Sequence, residues 1–381
     1  MNRRDFVSAS VGALCLPLGR IHKRQEWPSL KGRIVINGLG GISNPNLRTV
    51  GDADRNSGPL PDQGDSLDPR AVQDAIESGM SAANVTMGFV AGPMDPFEHS
   101  VAEVARWDRT VREHPRLLKV WSADDIVQAQ DEERLGIIFG FQNCAAVGDN
   151  VDRIDTFADL GVRIIQLTYN VRNQLGDGSM VAENRGLTPF GFEVLDRLHD
   201  RNVLVDLSHS GERTCLDAIR ASEGPVAITH TGCRALSDLP RNKTDEELRR
   251  LADKGGVAGI YFMPFLETTG QPLAADVVRH IEHAIDVCGE DHVGIGTDGG
   301  TTRVDDMPRY REVIREEVRE RAAAGIGAAG ETPDVIPMIE DLQGPTQFRK
   351  LAGLLRANGH SWNRVEKVLG GNFLRLMRAV W

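Results

Sequence analysis

Val203-Leu204-Val205-Asp206-Leu207-Ser208-His209 and Pro225-Val226-Ala227-Ile228-Thr229-His230 are two apolar runs of strand length, each ending in a histidine. A stretch of helical period, 212–221, lies between them. Strand, helix, strand in that order gives two parallel neighbours, and near-continuous apolar runs belong to strands covered on both faces. The two imidazoles then stand side by side at the carboxyl end of one sheet. That end is where α/β folds build their sites.

Six more runs extend the pattern outward: 33–37, 83–86, 135–140, 163–168, 257–261 and 293–298. Helical patterns fill most gaps, with Phe192, Leu195 and Leu198 on one face of 189–200 and a similar face in 245–252. Eight strand–helix units predict an α/β fold, a closed (β/α)8 TIM barrel. No G-x-G-x-x-G follows the first run, which argues against a dinucleotide site. Two long insertions are expected over the mouth, where loops shape substrate choice. One is 42–68, rich in Gly, Pro, Asn and Asp; the other is 299–345, with a charged helical piece at 309–324.

The 381 residues are 40% hydrophobic and 26% charged, an ordinary globular balance. A net charge of −11 repels nucleic acid and anionic membrane surfaces, so neither is an expected partner. The start, Asn2-Arg3-Arg4-Asp5-Phe6 followed by a weakly apolar 7–18, resembles a twin-arginine export signal. It predicts a signal and linker at 1–30, a barrel at 31–381 and a periplasmic or exported protein. The apolar stretch falls short of the ~20 residues that span a bilayer, so no stable membrane insertion is expected. Five cysteines without a C-x-x-C pair give no disulfide framework.

The strand ends place Asn37, Thr86, Gln142, Tyr169, Asn170, His209, His230, Tyr261 and Asp298 at the mouth. His209, His230 and Asp298 form a two-His-one-carboxylate set suited to one Zn²⁺, or to Fe²⁺, with positions left for water. Asp298 and Tyr169 are the candidate proton-moving groups. Arg241 is placed to clamp a substrate carboxylate, and Gln142, Asn143 and Asn170 to line a polar pocket. Cys144 and Cys233 are expected as buried filler, and His280 and His283 as solvated residues on an outer helix.

Around these residues the chain resembles the membrane (renal) dipeptidase family of the amidohydrolase superfamily. The likeness covers roughly 33–377. It is strongest in Gly186-Leu187-Thr188-Pro189-Phe190-Gly191, Val205-Asp206-Leu207-Ser208-His209, Ile228-Thr229-His230, Arg241-Asn242, Gly294-Ile295-Gly296-Thr297-Asp298 and Gly370-Gly371-Asn372-Phe373-Leu374-Arg375. The resemblance implies a metal-dependent hydrolase barrel with two zinc ions that cleaves dipeptides. It assigns one zinc to His209 and His230, an acid/base role to Asp298 and the substrate carboxylate to Arg241. It also exposes departures. Leu39 and Gly41 stand where the family's first strand has its His-x-Asp ligands, neutral Gln142 where a bridging Glu is expected, and Tyr169 where a substrate-contacting His is expected. The expectation is therefore a dipeptidase-like hydrolase with one metal and a small dipeptide-like substrate, with a homodimer left open. The alternatives are a lyase or epimerase acting on a small carboxylate, and a metal-free binding protein.

Overall fold

The computed structural model describes residues 27–48, 67–323 and 329–381. The expected export signal lies outside these apart from residues 27–30, as does most of the loop 42–68. Leu30 is already buried in the barrel core.

The eight runs become parallel strands: β1 Ile36–Asn37, β2 Ala82–Thr86, β4 Leu135–Phe141, β5 Val162–Gln166, β6 Leu204–Asp206, β7 Ala227–Thr231, β8 Val257–Ile260 and β9 Val293–Ile295. Neighbours follow the order β1-β2-β4-β5-β6-β7-β8-β9. A ninth strand, β3 Leu117–Lys119, pairs with the start of β4 off this path and was not expected. The two ends of the path meet, giving a nearly closed eight-stranded barrel with helices outside. Gly38 N donates to Ile295 O at 2.9 Å, and Asp298 N donates to Leu39 O at 2.9 Å. Asn37 ties the seam with its side chain, donating to Thr297 Oγ1 at 2.8 Å and accepting from Thr297 N at 2.8 Å.

The barrel interior changes character along its axis. At the amino-terminal end Ile36, Ala82, Ile138, Ile164, Leu204, Ala227 and Val257 pack together. The last helix, Asn372–Val380, plugs that end with Phe373, Leu376 and Met377. Toward the carboxyl end the buried interior turns polar, with Asn84, Gln166, Asp206, Ser208 and Thr229. Buried polar groups need partners, so this layer is a hydrogen-bonded floor for whatever lies above it. Gly296 permits a close approach there: a Cβ on it would lie 1.9 Å from Thr229 O, the backbone next to His230.

Helices begin where the sequence signals them. Thr188 caps Pro189–Asp200, with proline in its first turn. Thr244 and Glu247 form a capping box on Asp245–Asp253, immediately after Arg241. Thr244→Ala is expected to cost about 0.5–2 kcal/mol, measured as a shift in the denaturant midpoint.

The segment after β9 carries the helix Met307–Ala323 and covers the mouth. It has a small apolar core of its own, Val304, Tyr310, Ile314 and Ile336, separate from that of the barrel. Gln271 pins it by donating to Met338 O at 2.6 Å and accepting from Ile336 N at 2.9 Å.

Candidate functional site

His209 follows β6 and His230 lies within β7, and their rings are tilted at 57° with the Nε2 edges together. Nε2 of one lies 2.9 Å from Nε2 of the other. The hydrogen-bond network assigns their tautomers. His209 Nδ1 lies 2.6 Å from Asn170 Oδ1, an acceptor, so Nδ1 carries the hydrogen. Thr229 donates its hydroxyl proton to Asp206 Oδ2 at 2.6 Å, which leaves Oγ1 to accept from His230 Nδ1 at 2.9 Å. Both Nε2 lone pairs therefore point into the same small space. Lone pairs held this close repel unless a cation lies between or beside them. A metal-binding histidine is oriented in this way, by an oxygen acceptor on its other nitrogen.

Beneath the pair, Asp206 accepts from Ser208 N, Ser208 Oγ, Thr229 N and Thr229 Oγ1. Burial raises its pKa, and these four bonds offset part of that rise. Burial, then the nearby Arg241 guanidinium, holds both histidines neutral with pKa values well below the usual imidazole range. Neutral imidazole is the ligating form.

Arg241 is almost fully buried. Its Nη1 donates to Ser208 O at 2.6 Å and its Nη2 to His209 Nε2 at 3.2 Å. A guanidinium has five N–H donors, so others remain for a substrate carboxylate. A metal ion and the Arg241 bond compete for one His209 lone pair.

Asp298 lies half-buried in the cavity wall, just past β9. Its φ of 54° places a non-glycine residue in the left-handed region, held by the bond from its N–H to Leu39 O. Burial pushes its carboxyl pKa up to about 6, and Arg241 and a hydrogen bond from Gln142 limit the rise. Tyr169 stacks on His209 with ring centroids 4.2 Å apart. Burial and then Asp298 push its hydroxyl pKa up to about 12, so it remains a donor at neutral pH.

Gln142, Tyr169, Asn170, His209, Arg241 and Asp298 line one cavity of about 320 Å³. Four expected residues do not face it, and Asn37 among them is held in the barrel seam. His230 lies behind His209, and Asn143 is spent on local structure. Asn143 donates to Val90 O at 2.9 Å and accepts from Ala145 N and Asn173 Nδ2. Tyr261 is buried as well, its hydroxyl bonded to Asn242 Oδ1.

The donor set bears on how many metal ions the site can hold. It does not fit two ions: Leu39 offers no ligand and packs in the wall, Gly41 has no side chain, and Gln142 is neutral. It does fit one ion at the two converging nitrogens, which Zn–N bonds of about 2.0–2.1 Å can reach together. Asp298 shares the mouth without completing a three-ligand group. No three His, Cys, Asp or Glu side chains converge in that way among the described residues.

One of the two outer-helix histidines differs from expectation. His280 is fully buried: its Nδ1 accepts from Cys233 N at 2.9 Å and its Nε2 donates to Leu266 O at 2.9 Å. Burial lowers its pKa to about 4. Its partners come from two distant loops, which helical period alone does not reveal. Cys144 and Cys233 are fully buried, as expected of filler.

Sequence reasoning missed two features of the site. One is the buried pair of Lys243 Nζ and Glu247 Oε1, 3.1 Å apart. Lys243 also donates to Ser210 O at 2.6 Å, one residue past His209. The i, i+4 spacing of Lys243 and Glu247 was the available signal. The other is the pairing of Arg48 with Glu317 and of Arg321 with Glu331 on the cavity wall.

A family profile, membrane dipeptidase (peptidase family M19), matches residues 70–324. A Klebsiella pneumoniae protein, described as uncharacterized and encoded in the pqqA 5′ region, is 27% identical over 70% of the chain and 90% of its own length. An uncharacterized dipeptidase of Schizosaccharomyces pombe is 30% identical over half of the chain and 49% of its own length. A crystal structure of an amidohydrolase from Pseudomonas aeruginosa superposes with a TM-score of 0.73 at 29% identity, over 92% of this chain and 97% of that one. A Rhodobacter sphaeroides metallopeptidase, solved with a phosphinate mimic of L-Ala-D-Ala, shares the fold with a TM-score of 0.68 at 20% identity, over 92% and 100% of the two chains.

Proposed function

Because the chain belongs to the membrane dipeptidase family, peptidase family M19, we propose that it hydrolyses an amide bond in a small carboxylate-bearing substrate, using one metal ion held by His209 and His230. The convergence of the two Nε2 atoms at 2.9 Å, with His209 and Asp298 lining one cavity, carries this reading. Family membership supports hydrolase chemistry in general and a metal cofactor in general.

A cation held by the two nitrogens supplies Lewis acidity at the mouth. The chain's own groups do the rest. Arg241 orients the substrate through its carboxylate. Asp298, ionised above about pH 6, takes the proton of the attacking water and returns it to the leaving amine. Tyr169, protonated throughout this range, donates to the carbonyl oxygen as negative charge develops there. Asn170 and Thr229 hold the imidazoles in register.

Zinc titration by calorimetry tests the proposal without an assay. One zinc per chain is expected, and His209→Ala with His230→Ala should abolish binding. No binding, or two ions per chain, overturns it. One observation favours a metal-free binding protein, the Arg241 bond to His209 Nε2, and the same titration decides between the two.

The pH profile gives a further check. The base form of Asp298 is needed, so kcat should rise with pH and level off with an apparent pKa of about 6. A profile that falls through this range would contradict the base role.

A further inference from the structure

We propose that the substrate is an N-acylated amino acid with an extended apolar acyl group, in place of a free dipeptide. The inference rests on the amide-hydrolysis reading and adds the substrate class. The cavity that begins at Asp298, His209 and Arg241 continues beneath the segment that covers the mouth. Much of its lining there is apolar, with Phe262, Met263 and Phe265 from the loop after β8 and Val335, Met338 and Leu342 from the covering segment, beside Thr332, Gln343 and two arginine–glutamate pairs. Met263 and Met338 are partly exposed to it, and flexible thioethers adapt to chains of varied length.

The charges on the wall point the same way. A free dipeptide brings an ammonium group, which needs a carboxylate when it is removed from water. The described lining holds three carboxylates: Asp298, Glu317 and Glu331. Asp298 is committed to proton transfer, so it is not free to hold an ammonium group beside the scissile carbonyl. Glu317 receives Arg48 through two bonds of 2.7 and 2.6 Å, and Glu331 receives Arg321 through two bonds of 3.2 Å. Both other carboxylates are thus already neutralised by arginines, and the same lining offers methylene and ring surface. Acylation of the amine removes the unmet charge and supplies a chain for that surface. Each buried methylene is worth roughly fourfold in affinity. In the reaction the acyl C–N bond breaks; water gives its hydroxyl to the acyl carbon and a proton to the nitrogen, releasing a carboxylic acid and an amino acid.

The test uses the full zinc-loaded chain with N-octanoyl-alanine, N-acetyl-alanine and alanyl-alanine, measuring both turnover and calorimetric binding. N-octanoyl-alanine is expected to bind at least tenfold more tightly than either of the others and to give the highest kcat/KM. Met338→Asp should reduce the octanoyl-to-acetyl binding ratio at least tenfold. The wild-type comparison decides the matter should that variant fold poorly. Tight octanoyl binding without turnover of any amide would overturn the hydrolase reading and sustain the cavity assignment. Turnover of alanyl-alanine with no preference for the octanoyl compound would sustain the hydrolase and overturn the acyl pocket.

Discussion

Asp298→Asn is expected to lower kcat by about 10²–10⁴-fold, the range for losing a positioned general base. Asparagine suits the site in every other respect. It tolerates the left-handed backbone, keeps the shape of the carboxyl group and leaves the N–H bond to Leu39 O in place. Only proton transfer is removed, so zinc binding should be preserved and the limb near pH 6 should vanish from the residual activity. A small loss of kcat would sink the catalytic role. Stability gives an independent reading. The folded pKa lies above that of the unfolded chain, so the associated stability is complete below the unfolded carboxylate pKa and is lost as pH rises through about 6. Asp298→Asn should therefore flatten the stability–pH curve between about 4 and 6 without destabilising the protein at neutral pH.

Lys243→Met is expected to destabilise the fold by about 3–5 kcal/mol, as removal of one partner from a buried ion pair does. Lys243 and Glu247 are each about 2% exposed. Without the ammonium group, Glu247 keeps its capping bonds from Thr244 N and Thr244 Oγ1 but faces an apolar neighbour with its other oxygen. Ser210 O also loses its donor, one residue from His209. The double variant with Glu247→Gln removes the stranded charge and should recover part of the loss. Urea denaturation of the three proteins checks this. A single variant within about 0.5 kcal/mol of wild type, the range of an ordinary surface change, would refute the assignment.

The barrel was legible because its signal is local. Each of the eight runs contains its own apolar pattern, and chain order converts their ends into a list of mouth residues. His209, Tyr169, Arg241, Gln142 and Asp298 do share the cavity. β3 escaped notice because Leu117-Leu118-Lys119 is too short to show a period. It forms only because the start of β4 offers an edge that β5, paired farther along, leaves free. What was not legible depends on partners remote in sequence. Arg48 and Glu317 are 269 positions apart, and no spacing rule connects them. The side-chain duties of Asn143 likewise come from Val90 and Asn173, so a polar residue beside the mouth became part of its scaffold. The departures at Leu39, Gly41 and Gln142 were visible by comparison. Their structural consequence was not: the first-strand end has become a closing seam, with Gly38 N, Leu39 O and Gly41 N all bonded to residues from Ile295 to Gly299.

The covering segment has its own small core, with Tyr310 and Ile314 packed on Val304 and Ile336. A substitution among these four is felt first within the segment, which joins the barrel core only through Ile339 and Leu342 among its described residues. One chain therefore holds two inheritances, a foundation that tolerates little and a roof that can be rebuilt. Descendants of this protein could change the compound they accept by redrafting some forty residues, with the proton chemistry at Asp298 untouched.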